Sequence, residues 1–269
     1  MLISVAHALA VSAYLGAAAL AAVPLARPVR APVRWVIGAL GIGVAAHAVA
    51  LAGATVELGA LPLAGLGPAL SVAGFLIVVT LLIAESLARE VSLTLAAAPL
   101  AAVCTVAANL IGLHPVLEPG GVAGAWLSAH IAISFVGIAA YATAAAAGTM
   151  YLVESRELKS RRFGALFRLF PPLQTLDRVN HLASVGGWLG LTVGVALATA
   201  YAVTYHQFEW PKIVWSIGAW LALSAIAVAR VLGGMQARRA ALYSSVSFVG
   251  VVALYLAARA VASTPGRFL

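Results

Sequence analysis

The side chains able to do chemistry in this sequence are its histidines, set in a chain with few other polar groups. His130 has the most organised surroundings. Ser134, Gly137, Tyr141 and Gly148 follow it at +4, +7, +11 and +18, and at about 100° per residue all lie within about 40° of its direction. This polar, small-residue stripe is expected to face the interior of a helical bundle. His7 and Tyr14, seven residues apart, form a shorter version, and His47 lies inside another apolar run. Neutral imidazole is a good ligand for haem iron, and two histidines from facing helices can fill both axial positions. The bland alternative is that each ring only hydrogen-bonds a neighbouring helix. The acidic residues (Glu57, Glu85, Glu90, Glu118, Glu154, Glu157, Asp177 and Glu209) fall in loops or at the ends of apolar runs. A proton or cation path built on buried carboxylates is therefore not expected. No nucleophile–base pair is visible, so side-chain catalysis is not expected either.

The elements that must position these histidines follow from composition. The chain of 269 residues is 63% hydrophobic and 9% charged, with a mean hydropathy of +1.04. A soluble domain carries roughly 25% charged residues. The apolar runs have the length of an α-helical membrane span, and backbone groups in lipid must be satisfied within the segment. The expected fold is an all-α integral membrane protein, one membrane domain over 1–269, with about eight transmembrane helices near 2–24, 34–54, 66–87, 92–112, 126–152, 181–203, 212–232 and 241–261. Cys104 lies mid-span and reads as a small buried hydrophobe.

Charge orients the bundle. Arg27, Arg30, Arg34, Arg89, Arg156, Lys159, Arg161, Arg162, Arg168, Arg178, Arg230, Arg238 and Arg239 fall in one set of loops, against Lys212, Arg259 and Arg267 in the other. This bias places the first set in the cytoplasm and both termini outside. It also accounts for the net charge of +8 without a nucleic-acid partner. No charge precedes the first apolar run, so that run is expected to be a retained span. His47, 13 residues after Arg34, is then ~20 Å from the cytoplasmic end. His130 lies about one turn below the outer surface, His114 and His206 in outer loops, and His181 at the cytoplasmic edge beside Asp177, where a helix-start hydrogen bond between the two is expected.

The segment 154–180 reads as a cytoplasmic amphipathic loop. Phe163, Leu166, Phe167 and Phe170 recur at helical spacing between Arg161, Arg162 and Arg168, as in a helix lying on an anionic leaflet. Pro171-Pro172 ends it, and Thr175 is the expected cap of the next span. Gly186, Gly190 and Gly194 form a small-xxx-small ridge for close helix packing.

Several segments together carry a family resemblance: AHAVAL around His47, LGPALSVAGFLIVVTLL, the run from LSAHIAISF to PPLQTLDRVNH, and KIVWSIGAW to MQARRAALY. The chain resembles the cytochrome c assembly superfamily of haem-handling membrane proteins that contains CcsA, CcmC and HemX. It is most similar to the short eight-span branch of HemX or YpjD type. The resemblance implies a multi-pass protein of the bacterial inner membrane that binds non-covalent b-type haem at its outer face, in cytochrome c maturation, with other assembly proteins as possible partners. It places His47 and His130 on the family's intramembrane histidines, as proposed axial ligands. His206 becomes a possible outer ligand, and Trp126, Trp210, Trp215 and Tyr141 become porphyrin contacts. The family's W-D-x-K loop is altered to Glu209-Trp210-Pro211-Lys212. That departure leaves a different class of function open, a haem-free interaction or regulatory protein acting through its basic loop.

Overall fold

The computed structural model describes residues 2–27, 29, 32–59, 61–63, 65–88, 91–113, 121–160, 170–208 and 210–261. Among these, all regular structure is helical: α1 (Leu2–Ala21), the short α2 (Val23–Ala26), α3 (Val33–Leu58), α4 (Leu66–Ala88), α5 (Thr94–Ile111), α6 (Gly121–Ser160), α7 (Leu173–Tyr205), α8 (Trp210–Leu232) and α9 (Ala237–Val261). Seven helices among the described residues are long and apolar enough to cross a membrane, α1 and α2 counting as one. The helix α9 occupies the stretch expected for an eighth span.

The helices pack as two groups. The first holds α1, α3, α4 and α5, and the second α6, α7, α8 and α9; α4 against α6 is the main join. The core of the first group is built from small and branched side chains, among them Ala10, Ala17, Val36, Leu40, Val78, Ala98 and Ala101, around the fully buried Tyr14. Gly43 lets the Tyr14 ring lie against the α3 backbone, because a Cβ there would collide with it. Gly74 does the same for α5, where a Cβ would meet the Ala101 carbonyl at 3.0 Å.

In the second group the closest seam is between α6 and α7. A Cβ on Gly137 would stand 2.8 Å from the Leu191 nitrogen, one on Gly187 2.6 Å from the Tyr141 ring, and one on Gly190 3.0 Å from Gly137 Cα. A Cβ on Gly194 would strike Ser134. The ridge is therefore Gly187–Gly190–Gly194. Gly186, expected in it, faces open space. The sequence spacing i, i+4, i+8 drifts about 40° per step around a helix, whereas i, i+3, i+7 stays within a narrower stripe.

Two further expectations are corrected at the helix ends that carry most of the basic residues. Residues 154–160 continue α6 and 173–180 belong to α7, so the amphipathic loop is shorter than 154–180; its residues 161–169 lie outside the described residues. The helix α7 begins at Leu173 with Pro172 in the capping position and no side-chain cap, so Thr175 is inside it. Glu85 sits at the end of α4 as expected but is buried, 1% exposed. Its carboxylate accepts the Thr94 backbone N–H (2.8 Å) and the Thr94 hydroxyl. An acceptor in this place satisfies donors that the first turn of α5 leaves open and complements the helix dipole. At the same end of the molecule Arg34 lies over the exposed Trp35 ring, 5.4 Å from its centroid.

The glycine seam gives a direct test. Gly187→Leu is expected to destabilise the detergent-solubilised protein by about 1–3 kcal/mol, as overpacking does. Gly186→Leu is expected to leave thermal unfolding unchanged. Equal effects of the two substitutions would show that the seam is assigned to the wrong face of α7.

Candidate functional site

His7 and His47 meet at the centre of the first helix group, both fully buried. Their rings are edge to face at 4.9 Å, and the Phe75 ring stands 5.6 Å from His47 on another side. Four hydrogen bonds join five side chains from four helices. Tyr14 OH lies 3.1 Å from His47 Nδ1, His47 Nε2 3.0 Å from Ser71 Oγ, His7 Nε2 3.0 Å from the same Oγ, and His7 Nδ1 3.1 Å from Asn109 Oδ1.

One proton arrangement satisfies every member. Asn109 gives its amide nitrogen to the Thr105 carbonyl (3.2 Å), which turns Oδ1 to His7. Oδ1 can only accept, so His7 Nδ1 donates and its Nε2 is a lone pair. Ser71 donates to that lone pair and accepts from His47 Nε2–H. His47 Nδ1 then accepts from Tyr14 O–H. The reversed chain leaves the phenol without an acceptor. In an apolar interior an unpaired polar group costs about 1–3 kcal/mol, so the closed network clamps α1, α3, α4 and α5 to one another.

His130 belongs to the second group. Its Nδ1 is 2.8 Å from the Gly194 carbonyl, with Ser134 Oγ at 3.5 Å. Since a carbonyl only accepts, Nδ1 carries the proton and Nε2 presents a lone pair. The ring is half-buried, and among the described residues Nε2 makes no hydrogen bond. One turn towards the start of α6, Trp126 Nε1 donates to the Leu197 carbonyl at 3.1 Å. Its ring stands 6.4 Å from both Tyr201 and Tyr205, which pack on each other at 4.7 Å. Tyr141, on the same stripe, is fully buried and donates to the Leu223 carbonyl of α8 at 2.8 Å.

The expected pair is thus divided. His47 pairs with His7, His130 binds α7, and their contacts have no residue in common. Their levels also differ. Thr80 and Thr143 join α4 and α6 through their hydroxyls at 3.2 Å. Ser71, level with both buried histidines, precedes Thr80 by nine residues, and His130 precedes Thr143 by thirteen. Four residues correspond to ~6 Å along parallel helices.

His206 is exposed and ends α7 in the left-handed region (φ 53, ψ 34), its N–H bonded to the Ala202 carbonyl. It is the non-glycine with positive φ among the described residues. Trp210 is exposed at the start of α8, and Trp215 is half-buried one turn on. Glu209 and the side chains of Pro211 and Lys212 lie outside the described residues.

A haem iron needs a ring nitrogen whose lone pair faces outward, steadied by a hydrogen bond from the other ring nitrogen. His130 fits this requirement, with Nδ1 held by Gly194. His47 as arranged does not, because Tyr14 and Ser71 occupy both its nitrogens. Ser71 and Asn109 were not picked out in the sequence. The signal for them was that each is a polar side chain within an apolar run, which lipid surroundings make costly. His181, expected to bond Asp177, does not; Asp177 pairs with Arg230 across the α7–α8 interface.

The chain is 30% identical over 128 residues to the uncharacterised 28.8 kDa protein in the nifR3-like 5' region of Azospirillum brasilense, covering 45% of this chain and 46% of that protein. The match thus spans about half the length of that relative. The profile of the cytochrome C assembly protein family matches residues 46–264, from the turn of α3 that holds His47 through α9. A match over so much of a multi-helix membrane chain, with His47 and His130 both inside it, places the protein in the cytochrome c assembly protein family.

Proposed function

We propose that the protein is a haem-binding member of that family, acting in haem handling during cytochrome c biogenesis in a bacterial inner membrane, in the short branch of HemX or YpjD type. The single observation that carries the reading is His130. An imidazole near one end of the bundle, its Nδ1–H fixed on the Gly194 carbonyl, is a ligand prepared in one tautomer. In the proposed orientation eight spans cross the membrane, the arginine-rich helix ends face the cytoplasm, and His130 lies towards the outer side.

The chain's own residues divide the work. Gly194 orients His130. Gly187 and Gly190 hold α6 close enough to α7 for that bond to form. Trp126, Tyr201 and Tyr205 supply an aromatic wall one to two turns outward, and His206, Trp210 and Trp215 stand at the outer turn beyond it. His47 serves as a second ligand only if Ser71 moves away and the ring proton shifts from Nε2 to Nδ1, where the Tyr14 oxygen would accept it; otherwise it locks the first helix group. When bound, haem supplies electron transfer or is itself the cargo.

A second reading is favoured by one observation: the network around His47 is complete without any ligand. In that case the protein is a haem-free interaction partner of other assembly proteins and works through the basic segment after α6.

Spectroscopy separates the roles. Purified in detergent and supplied with haem, the protein is expected to show a Soret band that His130→Ala abolishes. His47→Ala is expected to keep at least part of that band while lowering thermal stability by about 1–3 kcal/mol, through the orphaned Tyr14 hydroxyl. The absence of any Soret band after haem is supplied sinks the haem reading.

The two readings also diverge in cells. If haem binding is the function, His130→Ala lowers the yield of mature cytochrome c and deletion of residues 163–170 does not. The haem-free reading requires the opposite pattern.

A further inference from the structure

The interface between α7 and α8 holds polar atoms that the bundle does not satisfy. It is stitched at two levels. Asp177 pairs with Arg230 near the arginine-rich end, and Trp220 Nε1 donates to Thr192 Oγ1 at 3.0 Å deeper in. Asp177, His181, Ser184, Trp188 and Thr192 follow one another at +4, +3, +4 and +4, which keeps them on one stripe of α7. Both ends of that stripe touch α8, so the middle faces it too. Ser224 lies four residues after Trp220 on the facing helix.

Between the two stitches, among the described residues, five buried atoms have no hydrogen-bond partner: His181 Nδ1, Ser184 Oγ, Trp188 Nε1, Ser224 Oγ and the second guanidinium nitrogen, Nη1, of Arg230. Ser184 is 2% exposed, Ser224 9%, and the Arg230 side chain 9%. Native interiors pair nearly all such groups, and a run of them along one interface calls for a partner.

The chemistry of the set says what partner. Arg230 Nη1 and Trp188 Nε1 can only donate, both serine hydroxyls can donate, and His181 donates from Nδ1 in one tautomer or when charged. The stripe's carboxylate, Asp177, is already engaged by the other nitrogen of Arg230. The buried Glu154 lies on the α6 side that carries Thr143 towards α4, eleven residues further on. The interface is therefore rich in donors and short of acceptors. A guanidinium with a free N–H edge is suited to an oxyanion, through short charge-assisted bonds.

We propose that the α7–α8 interface is an oxyanion-binding site. A phosphate or carboxylate sits on Arg230 Nη1, His181 and Ser184, and water or a further acceptor of the ligand is held by Ser224 and Trp188. The mouth is beside Asp177, whose side chain is 35% exposed, at the arginine-rich end of the bundle. The site is separate from His130 and does not depend on haem. Two sources carry the same chemistry: the phosphate of an anionic lipid headgroup, and a small soluble anion from the aqueous side.

The test is thermal unfolding of the full chain in nanodiscs. One arm titrates inorganic phosphate, at constant ionic strength with chloride, into phosphatidylcholine discs. The other compares phosphatidylglycerol with phosphatidylcholine discs in chloride alone. A rise in Tm in the first arm identifies a soluble anion, and a rise confined to the second identifies a headgroup. In either case Arg230→Gln is expected to remove the rise. His181→Phe with Ser184→Ala leaves the Asp177–Arg230 pair in place and is expected to weaken half-saturation by roughly tenfold, so the test stands even if Arg230→Gln does not fold. No rise in either arm, or a rise of equal size in the His181→Phe, Ser184→Ala protein, overturns the proposal.

Discussion

A polar side chain inside this bundle has to find its partner within the protein, on its own helix or on another, because lipid offers none. That constraint shapes the two helix groups differently. In the first group the partners are other side chains, and Tyr14, His47, Ser71, His7 and Asn109 satisfy one another in a closed chain. In the second group the partners are mostly main-chain carbonyls: Gly194 for His130, Leu197 for Trp126, Leu223 for Tyr141, Ala144 for Asn180 and Ala145 for Ser245.

A carbonyl inside a helix already accepts from its own ladder, so a second donor must reach its remaining lone pair from the side. Such an approach is possible only where the helices are very close. The glycines along the α6–α7 seam are therefore a precondition for the hydrogen bonds of His130 and Trp126, and packing and site chemistry depend on the same residues. Removal of a methyl-sized clearance at Gly194 would move both the helix and the carbonyl that fixes the histidine tautomer. This is why the site and the fold of the second group cannot be varied separately.

The sequence was legible where the signal is an average over a whole helix. Eight apolar runs are expected, and among the described residues long helices occupy them, seven being long and apolar enough to cross a membrane, with ends within a few residues in most cases and equally large shifts at the end of α6 and the start of α7. Rotational phase was much less legible. In a helix made largely of alanine, leucine and valine, every face is nearly equally apolar, so the pattern does not say which side turns inward. The choice of Gly186 in place of Gly187 is an error of one residue and of about 100° in direction. The expected pairing of His47 with His130 differs from the structure for a similar reason. Both sit inside apolar runs, but depth and apolarity do not reveal that α1 and α4 close over His47. Where the polar stripe was long, from His130 through Ser134 to Tyr141, the face was correct, because several polar and small residues agreed on one direction. His181 and Asp177 failed for a different reason. Nearness in sequence suggested their bond, and Arg230, 53 residues away from Asp177, took it.

The two ways of satisfying polar groups also predict different responses to sequence change. A side-chain network needs every member, because the loss of Ser71 strands two imidazoles at once, and Asn109 has to keep its orientation for the proton order to hold. A carbonyl-based seam tolerates changes in the side chain that owns the carbonyl, since Leu197 and Leu223 contribute only their backbone to these bonds. It does not tolerate bulk at Gly137, Gly187 or Gly190. Replacing Leu223 with another aliphatic residue should therefore leave Tyr141 bonded, whereas no replacement at Ser71 other than a hydroxyl can both donate and accept in that space. The first group is specified by chemical identity and the second by clearance. A histidine that has to stay available for a ligand is better placed in the second kind of surroundings, where its partner occupies one ring nitrogen and leaves the other free.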